Sequence, residues 1–475
     1  MSSTAIPRRE ALHRQVTANS SVTSSVTVSP LESPRQSPST TSLSSLASEA
    51  AANSYGKLLD AYGNEFEIPD FTIKQIRDAI PAHCFERSAA KSLGYVFRDI
   101  LTLGTTFYIF YNYVTPETIP FTPARVALWT LYTVIQGLVG TGVWVLAHEC
   151  GHQSFSDSKV LNDTVGWILH SSLLVPYFSW KISHGKHHKA TGNLERDMVF
   201  VPRTRHEYAS RMGYYLHELN ELMEETPLRA AWGLLLQQLF GWPMYLISNV
   251  TGHNNHEGQR EGRGKGKKNG WFTGVNHFNP SSPLYEAKDA KLIVLSDIGL
   301  IIVGSVLYTL GNKFGWLNML VWYFIPYLWV NHWLVAITYL QHTDPSLPHY
   351  EASVWNFARG AAATIDREFG FIGRQIFHGI IETHVLHHYV STIPFYNADE
   401  ATEAIKTVMG RHYRSNTEEG SIGFLKALWR SIRMCQWVEP SEGAKGEGKG
   451  VLFFRNRNGI GPKPLQFEAP KESVK

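Results

Sequence analysis

The chain of 475 residues lacks the features that define several common protein classes. Its three cysteines, Cys84, Cys150 and Cys435, lie too far apart to form a disulfide framework or a zinc knuckle. A formal net charge of +3 is too small to indicate nucleic-acid binding. No G-x-G-x-x-G nicotinamide fingerprint occurs, and no apolar segment of signal-peptide type follows Met1. We therefore expect no nucleic-acid partner, no cleaved leader and a reducing compartment.

Long apolar runs are abundant, although the mean hydropathy of −0.18 conceals them. A hydrocarbon core of about 30 Å takes roughly 20 helical residues to cross. Four stretches meet that length, at residues 96–114, 122–146, 292–311 and 316–340. Two further apolar stretches, 164–179 and 231–250, contain His, Ser, Pro or Gln, and we predict that they are interfacial or half-buried. The pattern predicts an all-α integral membrane protein with four transmembrane helices.

The composition divides the chain into three parts. Residues 1–55 are rich in Ser, Thr and Pro and poor in large apolar residues, which predicts a disordered tail. Residues 56–440 hold the apolar runs and form the predicted membrane domain. Residues 441–475 read as a polar C-terminal tail.

Histidines are concentrated in three short clusters among the 21 in the chain. The clusters are His148 and His152; His184, His187 and His188; and His384, His387 and His388. Residues three or four apart share one helix face, so each cluster can present its imidazoles in one direction. Neutral imidazole suits iron, zinc, copper or nickel, and eight imidazoles are too many for one tetrahedral ion. The spacing predicts a site for two metals.

Two other kinds of protein could explain part of this pattern. His148-Glu149-Cys150-Gly151-His152 matches H-E-x-x-H, in which two histidines bind zinc and the glutamate is the general base of a protease. A membrane zinc metalloprotease would leave both H-x-x-H-H clusters without a role. A His-rich metal transporter would place polar residues near the bilayer midplane, but these clusters lie beyond the predicted spans.

The number of spans fixes the predicted topology. With four spans paired by the short loops 115–121 and 312–315, both termini and all three clusters lie on one side of the membrane, as one shared metal centre requires. The segment 181–291 carries a basic run from Arg260 to Lys268, so the positive-inside rule places that side in the cytosol. The fold predicted is four transmembrane helices with a cytosolic helical cap that holds a histidine-rich di-iron site.

Two irons held by imidazoles can use dioxygen to attack an unactivated C–H bond, and a nearby membrane suggests an acyl-chain substrate. The segments VLAHECGHQSFSD, WKISHGKHHKATGNLERDMVFVP, ITYLQHTDPSLPHY and HGIIETHVLHHYVSTIPFYNADEATEAIK are similar to the membrane fatty acyl desaturases of the oleate Δ12 group, above all the fungal microsomal forms. The resemblance runs from about residue 70 to about residue 440.

That resemblance implies a Δ12 desaturase of the endoplasmic reticulum membrane that converts phospholipid-linked oleoyl chains to linoleoyl chains with two iron ions and molecular oxygen. It implies that electrons come from cytochrome b5 and its NADH-dependent reductase. Because no His-Pro-Gly-Gly haem-binding string occurs, we expect a separate donor protein. The family includes ω3/Δ15 desaturases, bifunctional desaturases and 12-hydroxylases, and the histidine clusters do not separate these activities.

Carried over residue by residue, the family's ligands fall on the eight clustered histidines. Many relatives have a further histidine directly after the first cluster, where this chain has Gln153. A ninth ligand often comes from the last span, which favours His342, with His378 as the rival. Ligating histidines usually bond a carboxylate through their second nitrogen. Candidates for that role are Glu149, Asp157, Asp163, Glu195, Asp197 and Glu382.

Overall fold

The structure, a computed structural model, describes residues 54–205, 207–208, 227–253 and 274–465. The predicted disordered tail at 1–55 lies almost entirely outside this part of the chain, as does the basic run at 260–268.

Helices dominate the described part. They are α1 (Ile73–Ala79), α2 (Ala89–Tyr113), α3 (Thr122–His152), α4 (Lys159–Ser172), α5 (Tyr177–Ala190), α6 (Pro227–Ser248), α7 (Ala290–Phe314), α8 (Trp316–His342), α9 (Phe357–Ala361), α10 (His384–Tyr389), α11 (Ala398–Met409) and α12 (Gly420–Met434). Helix α8 contains a π-helical stretch at Leu320–Phe324, and a second π-helix covers Ile372–Ile376. Short 3-10 helices occupy Ala82–Phe85, Ala287–Asp289, Phe395–Asn397, Gly410–His412 and Gly446–Gly450.

In the part of the chain that the structure describes, three helices are long and apolar enough to cross a membrane, judged by length and composition: Thr122–His152, Ala287–Phe314 and Trp316–His342. They contain the last three predicted spans. The first predicted span, 96–114, lies in α2, a continuous helix of 25 residues that is not among the three. The mean hydropathy of α2 is lowered by Arg98, Asp99 and several hydroxyl side chains. The helix nevertheless exposes large apolar side chains, since Phe97 and Tyr108 are each more than 60% exposed.

Helices α3 and α8 pack closely because glycines on α3 leave room for their neighbours. A Cβ at Gly137 would lie 2.2 Å from the Cβ of Trp329, and one at Gly142 would lie 2.2 Å from the carbonyl oxygen of Ile376. Small residues at helix contacts are typical of membrane bundles, where packing rather than the hydrophobic effect drives association. The buried core beside this contact includes Trp144 and Leu340 and continues into α6 and α12.

The all-α prediction holds in its main feature, and within the described residues two small sheets accompany the helices. Strands β1 (Pro348–Tyr350), β4 (Trp437–Pro440) and β5 (Val451–Arg455) form an antiparallel sheet in the order β1-β5-β4. The other sheet pairs β2 (Asp366–Arg367) with β3 (Ser415–Asn416) in parallel. Both are short, so the protein remains mostly helical.

The prediction of a polar tail from residue 441 does not hold for residues 451–455, which form a buried strand. Strand β5 is buried along its whole length, and Phe453 packs against Phe66 and Tyr350. The five residues VLFFR bury enough apolar surface to hold a strand in the sheet, although the Gly- and Lys-rich segment before them reads as a loop.

Candidate metal centre

Four helices bring the clustered histidines to one place. His148 and His152 lie in the last turns of α3, and His184, His187 and His188 lie on α5. The short helix α10 carries His384, His387 and His388, and His342 is the last residue of α8. The ends of two long apolar helices therefore meet two shorter helices, and nine imidazoles converge there.

The imidazoles form two groups. The first contains His148, His152, His184, His188 and His387, one ring nitrogen of each lying within 4.8 Å of the others. In this group the Nε2 atom of His184 is 3.1 Å from Nε2 of His148 and 3.1 Å from Nε2 of His188.

The second group contains His187, His342 and His388, again within 4.8 Å of one another. His384 adjoins it, because its Nε2 atom lies 3.0 Å from Nε2 of His342. His342 is also 3.3 Å from His187, measured between the Nε2 atoms. Two groups of this size match the number of metals that the sequence predicts.

Burial favours the neutral form of five of these imidazoles, those of His184, His188, His384, His387 and His388. Seven of the nine are at most 8% exposed, and His152 and His184 are half-buried. Burial, followed by the neighbouring histidines, holds the pKa of His184, His188, His384 and His388 well below its usual range. The pKa of His387 falls to about 3 for the same reasons. A neutral imidazole has a lone pair to donate, which is the form that binds a metal.

Several nitrogens at the centre of the groups have no protein partner. Nε2 of His152, His387 and His388 are buried without a hydrogen bond. Buried polar atoms are nearly always satisfied, so these unpaired nitrogens, which lie close to one another, fit the ligation of a cation. An all-imidazole set of this size fits iron, as the sequence predicts, and offers no thiolate.

Two of the six candidate carboxylates contact the imidazoles. Asp197 lies 2.5 Å from Nδ1 of His187 and also accepts from the amide of Gly192. Glu149 lies 3.2 Å from Nδ1 of His148 and accepts from the Ser154 hydroxyl. These contacts orient the two rings so that Nε2 points into the groups.

The other candidate carboxylates contact different partners. Asp163 accepts from Lys181 and Lys159, Asp157 pairs with Arg87, and Glu382 accepts from the amide of Phe369. Glu195 is a member of neither group. Sequence proximity to a histidine cluster was a weak guide, because these contacts depend on the tertiary fold.

His378 and Gln153 lie apart from the two groups. His378 is buried, and its Nε2 atom lies 2.8 Å from a carboxylate oxygen of Asp99. Gln153 ends α3 with a left-handed backbone (φ 62°) and donates to the carbonyl of Cys150. The structure thus brings His342 and not His378 to the clustered histidines.

Thr191 is a contact that the sequence analysis missed. Its hydroxyl lies 3.0 Å from Nδ1 of His388 and donates to the carbonyl of His187. The contact could have been predicted, because Thr191 lies four residues after His187 and therefore shares a helix face with it.

The role of Glu149 distinguishes a zinc protease from a two-metal site held by the clustered histidines. In a zinc protease it would be the general base, and its loss would abolish the reaction. Here it contacts His148 and Ser154, so the acyl-chain oxidation that the sequence predicts should fall about 10- to 100-fold in Glu149→Gln and remain measurable. The product is measured in lipids of yeast that expresses each variant at matched protein level. Peptide cleavage by the wild type, abolished in Glu149→Gln, would instead establish the protease.

A cavity of about 350 Å³ leads to the histidines. Its inner end is lined by His148, His184, His187, His342 and His384. Apolar and aromatic side chains of α3, α6 and α8 form most of the wall, namely Trp144, Val145, Trp242, Leu334, Val335 and Ile337. At the other end lie half-buried Gln237 and Val250, which is 47% exposed. A mostly apolar cavity lined in part by metal-binding histidines suits an acyl-chain substrate.

Helix α6 forms part of this cavity and presents its other side outward. Trp232 and Phe240 are 61% and 55% exposed, in a helix with no charged residue after Arg229. This agrees with the predicted interfacial position of residues 231–250 and would place the cavity beside lipid.

Comparisons with known proteins agree with these features. The model of the fatty acid desaturase family matches residues 125–419. The oleate hydroxylase FAH12 of Claviceps purpurea is 63% identical over 430 residues, which cover 90% of each chain. The Delta(12) fatty acid desaturase of Mortierella isabellina is 44% identical over 83% of this chain and 93% of its own. The endoplasmic reticulum omega-6 fatty acid desaturase of Brassica juncea is 42% identical over 82% and 93%. The chain belongs to the fatty acid desaturase family, as the sequence analysis predicted.

Proposed function

We propose that this protein is an acyl-lipid Δ12 desaturase that converts phospholipid-linked oleoyl chains to linoleoyl chains. One observation carries the proposal: the apolar cavity ends at both groups of histidines, so an acyl chain within it would meet the metal centre. Three relatives that align with more than 80% of this chain are named Δ12 desaturases.

The proposed ligands are the nine histidines. The group of five would hold one iron, and His187, His342, His384 and His388 would hold the other. Two irons held there would activate molecular oxygen, which is needed to remove hydrogen from an unactivated carbon. The protein contributes ligation, orientation of the substrate and exclusion of water.

The chain's own side chains explain how the site keeps its geometry. Asp197 and Glu149 hold His187 and His148 through their Nδ1 atoms. Trp180 stacks on His184 with ring centroids 4.5 Å apart, and Trp144 stacks on His148 at 5.6 Å. These indoles also line the cavity, so the groups that fix the imidazoles separate the reacting carbons from water.

The proposed setting is the endoplasmic reticulum membrane. Helix α2 would be the fourth span, which places both termini and every clustered histidine on the cytosolic side. Electrons would come from cytochrome b5 and its NADH-dependent reductase. Family membership and the endoplasmic reticulum named for the Brassica juncea relative support this setting.

A 12-hydroxylase is the second candidate, because the Claviceps purpurea relative at 63% identity is named an oleate hydroxylase. Hydroxylation and Δ12 desaturation both begin at the same region of an oleoyl chain. Small differences in the position of the carbon chain relative to the irons would decide between them.

Fatty-acid analysis of a yeast that makes oleate but no polyunsaturated fatty acid tests the proposal. Expression of the full chain is expected to produce linoleate. A 12-hydroxy product without linoleate would identify the hydroxylase, and a double bond only at carbon 15 would identify an ω3 enzyme. A double bond at carbon 12 together with one at carbon 15 would identify a bifunctional desaturase. The same yeast carrying the His187→Ala variant is the control for background.

A further inference from the structure

The short strand β2 lies between the two helix ends that supply His342 and His384. The amide of Ile365, just before the strand, donates to the carbonyl oxygen of Gln341 in the last turn of α8 at 3.3 Å. The amide of Arg367 donates at 3.0 Å to the carbonyl oxygen of Ile381, which precedes α10. The backbone of this segment therefore fixes the end of α8 on one side and the approach to α10 on the other.

Arg367 holds the end of α8 that carries His342. Its Nε atom donates to the carbonyl oxygen of Leu340 at 3.0 Å, and its Nη2 atom donates to a carboxylate oxygen of Asp344 at 2.7 Å. The last carbonyl groups of a helix have no partner within it, and a cation there also interacts favourably with the helix dipole. Leu340 precedes His342 and Asp344 follows it, so the guanidinium group fixes the chain on both sides of that histidine.

Asp366 holds the end of α10 that carries His384. Its Oδ1 atom accepts from the amide of Val385 at 2.7 Å, and its Oδ2 atom accepts from the Tyr413 hydroxyl. The first amides of a helix have no partner within it, and a negative charge is favourable at that end. Val385 directly follows His384, whose Nε2 atom lies 3.0 Å from Nε2 of His342. The two helix ends held by β2 are thus the ones whose histidines meet.

Neighbouring residues of opposite charge allow one strand to hold two helices. Successive side chains of a strand point to opposite sides, so Asp366 reaches the beginning of α10 while Arg367 reaches the end of α8. Both side chains are 1% exposed. A buried ion pair such as that of Arg367 with Asp344 adds little stability over apolar residues of the same volume, because desolvation offsets the attraction. Its effect here is geometric, since it fixes where a ligand lies.

We propose that Asp366 and Arg367 are positioning residues that set the spacing between His342 and His384, and thereby the affinity of the second group for its metal. Neither is among the described residues that line the acyl cavity, and both act through the backbone on which the ligands lie. The inference rests on the proposed function, because that function assigns these histidines to an iron. It adds the residues that hold two separate parts of the site together.

Asp366→Asn and Asp366→Leu separate the hydrogen bond from the size of the side chain. Asparagine keeps an oxygen that can accept from the amide of Val385, whereas leucine has nearly the same size and no acceptor. The purified full chain is treated with rising concentrations of an iron chelator, and the iron that remains bound is counted. Asp366→Leu is expected to release one iron at a chelator concentration at least about tenfold lower, the lower end of the loss caused by removing groups that orient metal ligands. Asp366→Asn should release iron as the wild type does.

A double variant tests Arg367 without leaving a buried charge unpaired. Arg367→Met combined with Asp344→Leu replaces the ion pair by apolar side chains, a change that often leaves stability unaltered. The midpoint of thermal unfolding should stay near that of the wild type, while one iron binds at least about tenfold more weakly. In Asp366→Leu and in the double variant, kcat for acyl-chain oxidation should fall and KM should change little, because the cavity lining is unaltered.

Arg455→Met is the matched control. Arg455 is likewise buried, at 3% exposed, and donates to the carbonyl oxygens of Phe454 and Leu59, which belong to neither α8 nor α10. It should bind both irons as the wild type does, whatever the change in its unfolding midpoint. Unchanged iron binding in Asp366→Leu or in the double variant, equal weakening of both irons in the double variant, or the same loss in Arg455→Met would overturn the assignment. A wild type that binds two irons, shows these losses in the variants and oxidises no acyl chain would overturn the proposed function alone.

Discussion

Replacing His342 with alanine is expected to abolish acyl-chain oxidation and to remove iron from the protein. His342 contacts His187 and His384 at the centre of the second group, and its ring is 7% exposed. Changes around a metal ligand already cost 10- to 100-fold, so loss of the ligand itself should cost at least about a hundredfold. Linoleate in yeast lipids and iron in the purified chain are measured together.

His378→Asn is the matched control. His378 is another buried histidine, but its partner is Asp99 and it belongs to neither group. Asparagine tolerates its left-handed backbone (φ 56°), so the substitution should not strain the loop. Iron should stay bound in this variant. Loss of iron from His378→Asn with retention in His342→Ala would show that the ninth ligand has been assigned to the wrong histidine.

Blocking the acyl cavity should abolish turnover without affecting the metals. Thr338 on α8 lines the cavity and is half-buried. A tryptophan there would occupy much of a space of about 350 Å³, so the acyl chain could not reach its reactive position. Displacement of a substrate by about 1 Å can cost a hundredfold, and we expect at least that loss in linoleate from Thr338→Trp.

Thr338→Ser controls for loss of the threonine itself, since serine can keep the hydrogen bond from the hydroxyl to the carbonyl oxygen of Leu334. It should produce linoleate at close to the wild-type level, and iron content should be equal in the wild type and both variants. Undiminished linoleate from Thr338→Trp would mean that the substrate reaches the histidines by another route.

The sequence predicts the position of the histidines because their spacing is a local property. Residues three or four apart on a helix share a face, and the apolar runs place His148 and His342 at the ends of long helices. The resemblance to a known family favoured His342 over His378 as the ninth ligand. The structure brings His342 to the clustered histidines. Those features needed no knowledge of the packing between helices.

Other features depend on packing that the sequence does not display. Asp197 contacts His187, whereas Asp163, equally close to a cluster in sequence, pairs with Lys159 and Lys181. Strand β5 follows a segment rich in Gly and Lys and is held by Phe66 and Tyr350, which are distant in sequence.

Metal analysis of the purified full chain tests the central claim most directly. The claim is that nine imidazoles form two adjacent metal sites that serve oxidation of an acyl chain. The account predicts about two irons per chain in the wild type, with both lost or reduced in variants of either group, such as His387→Ala and His342→Ala. One zinc per chain without iron, held only by the H-E-x-x-H segment and unaffected by His342→Ala, would contradict it.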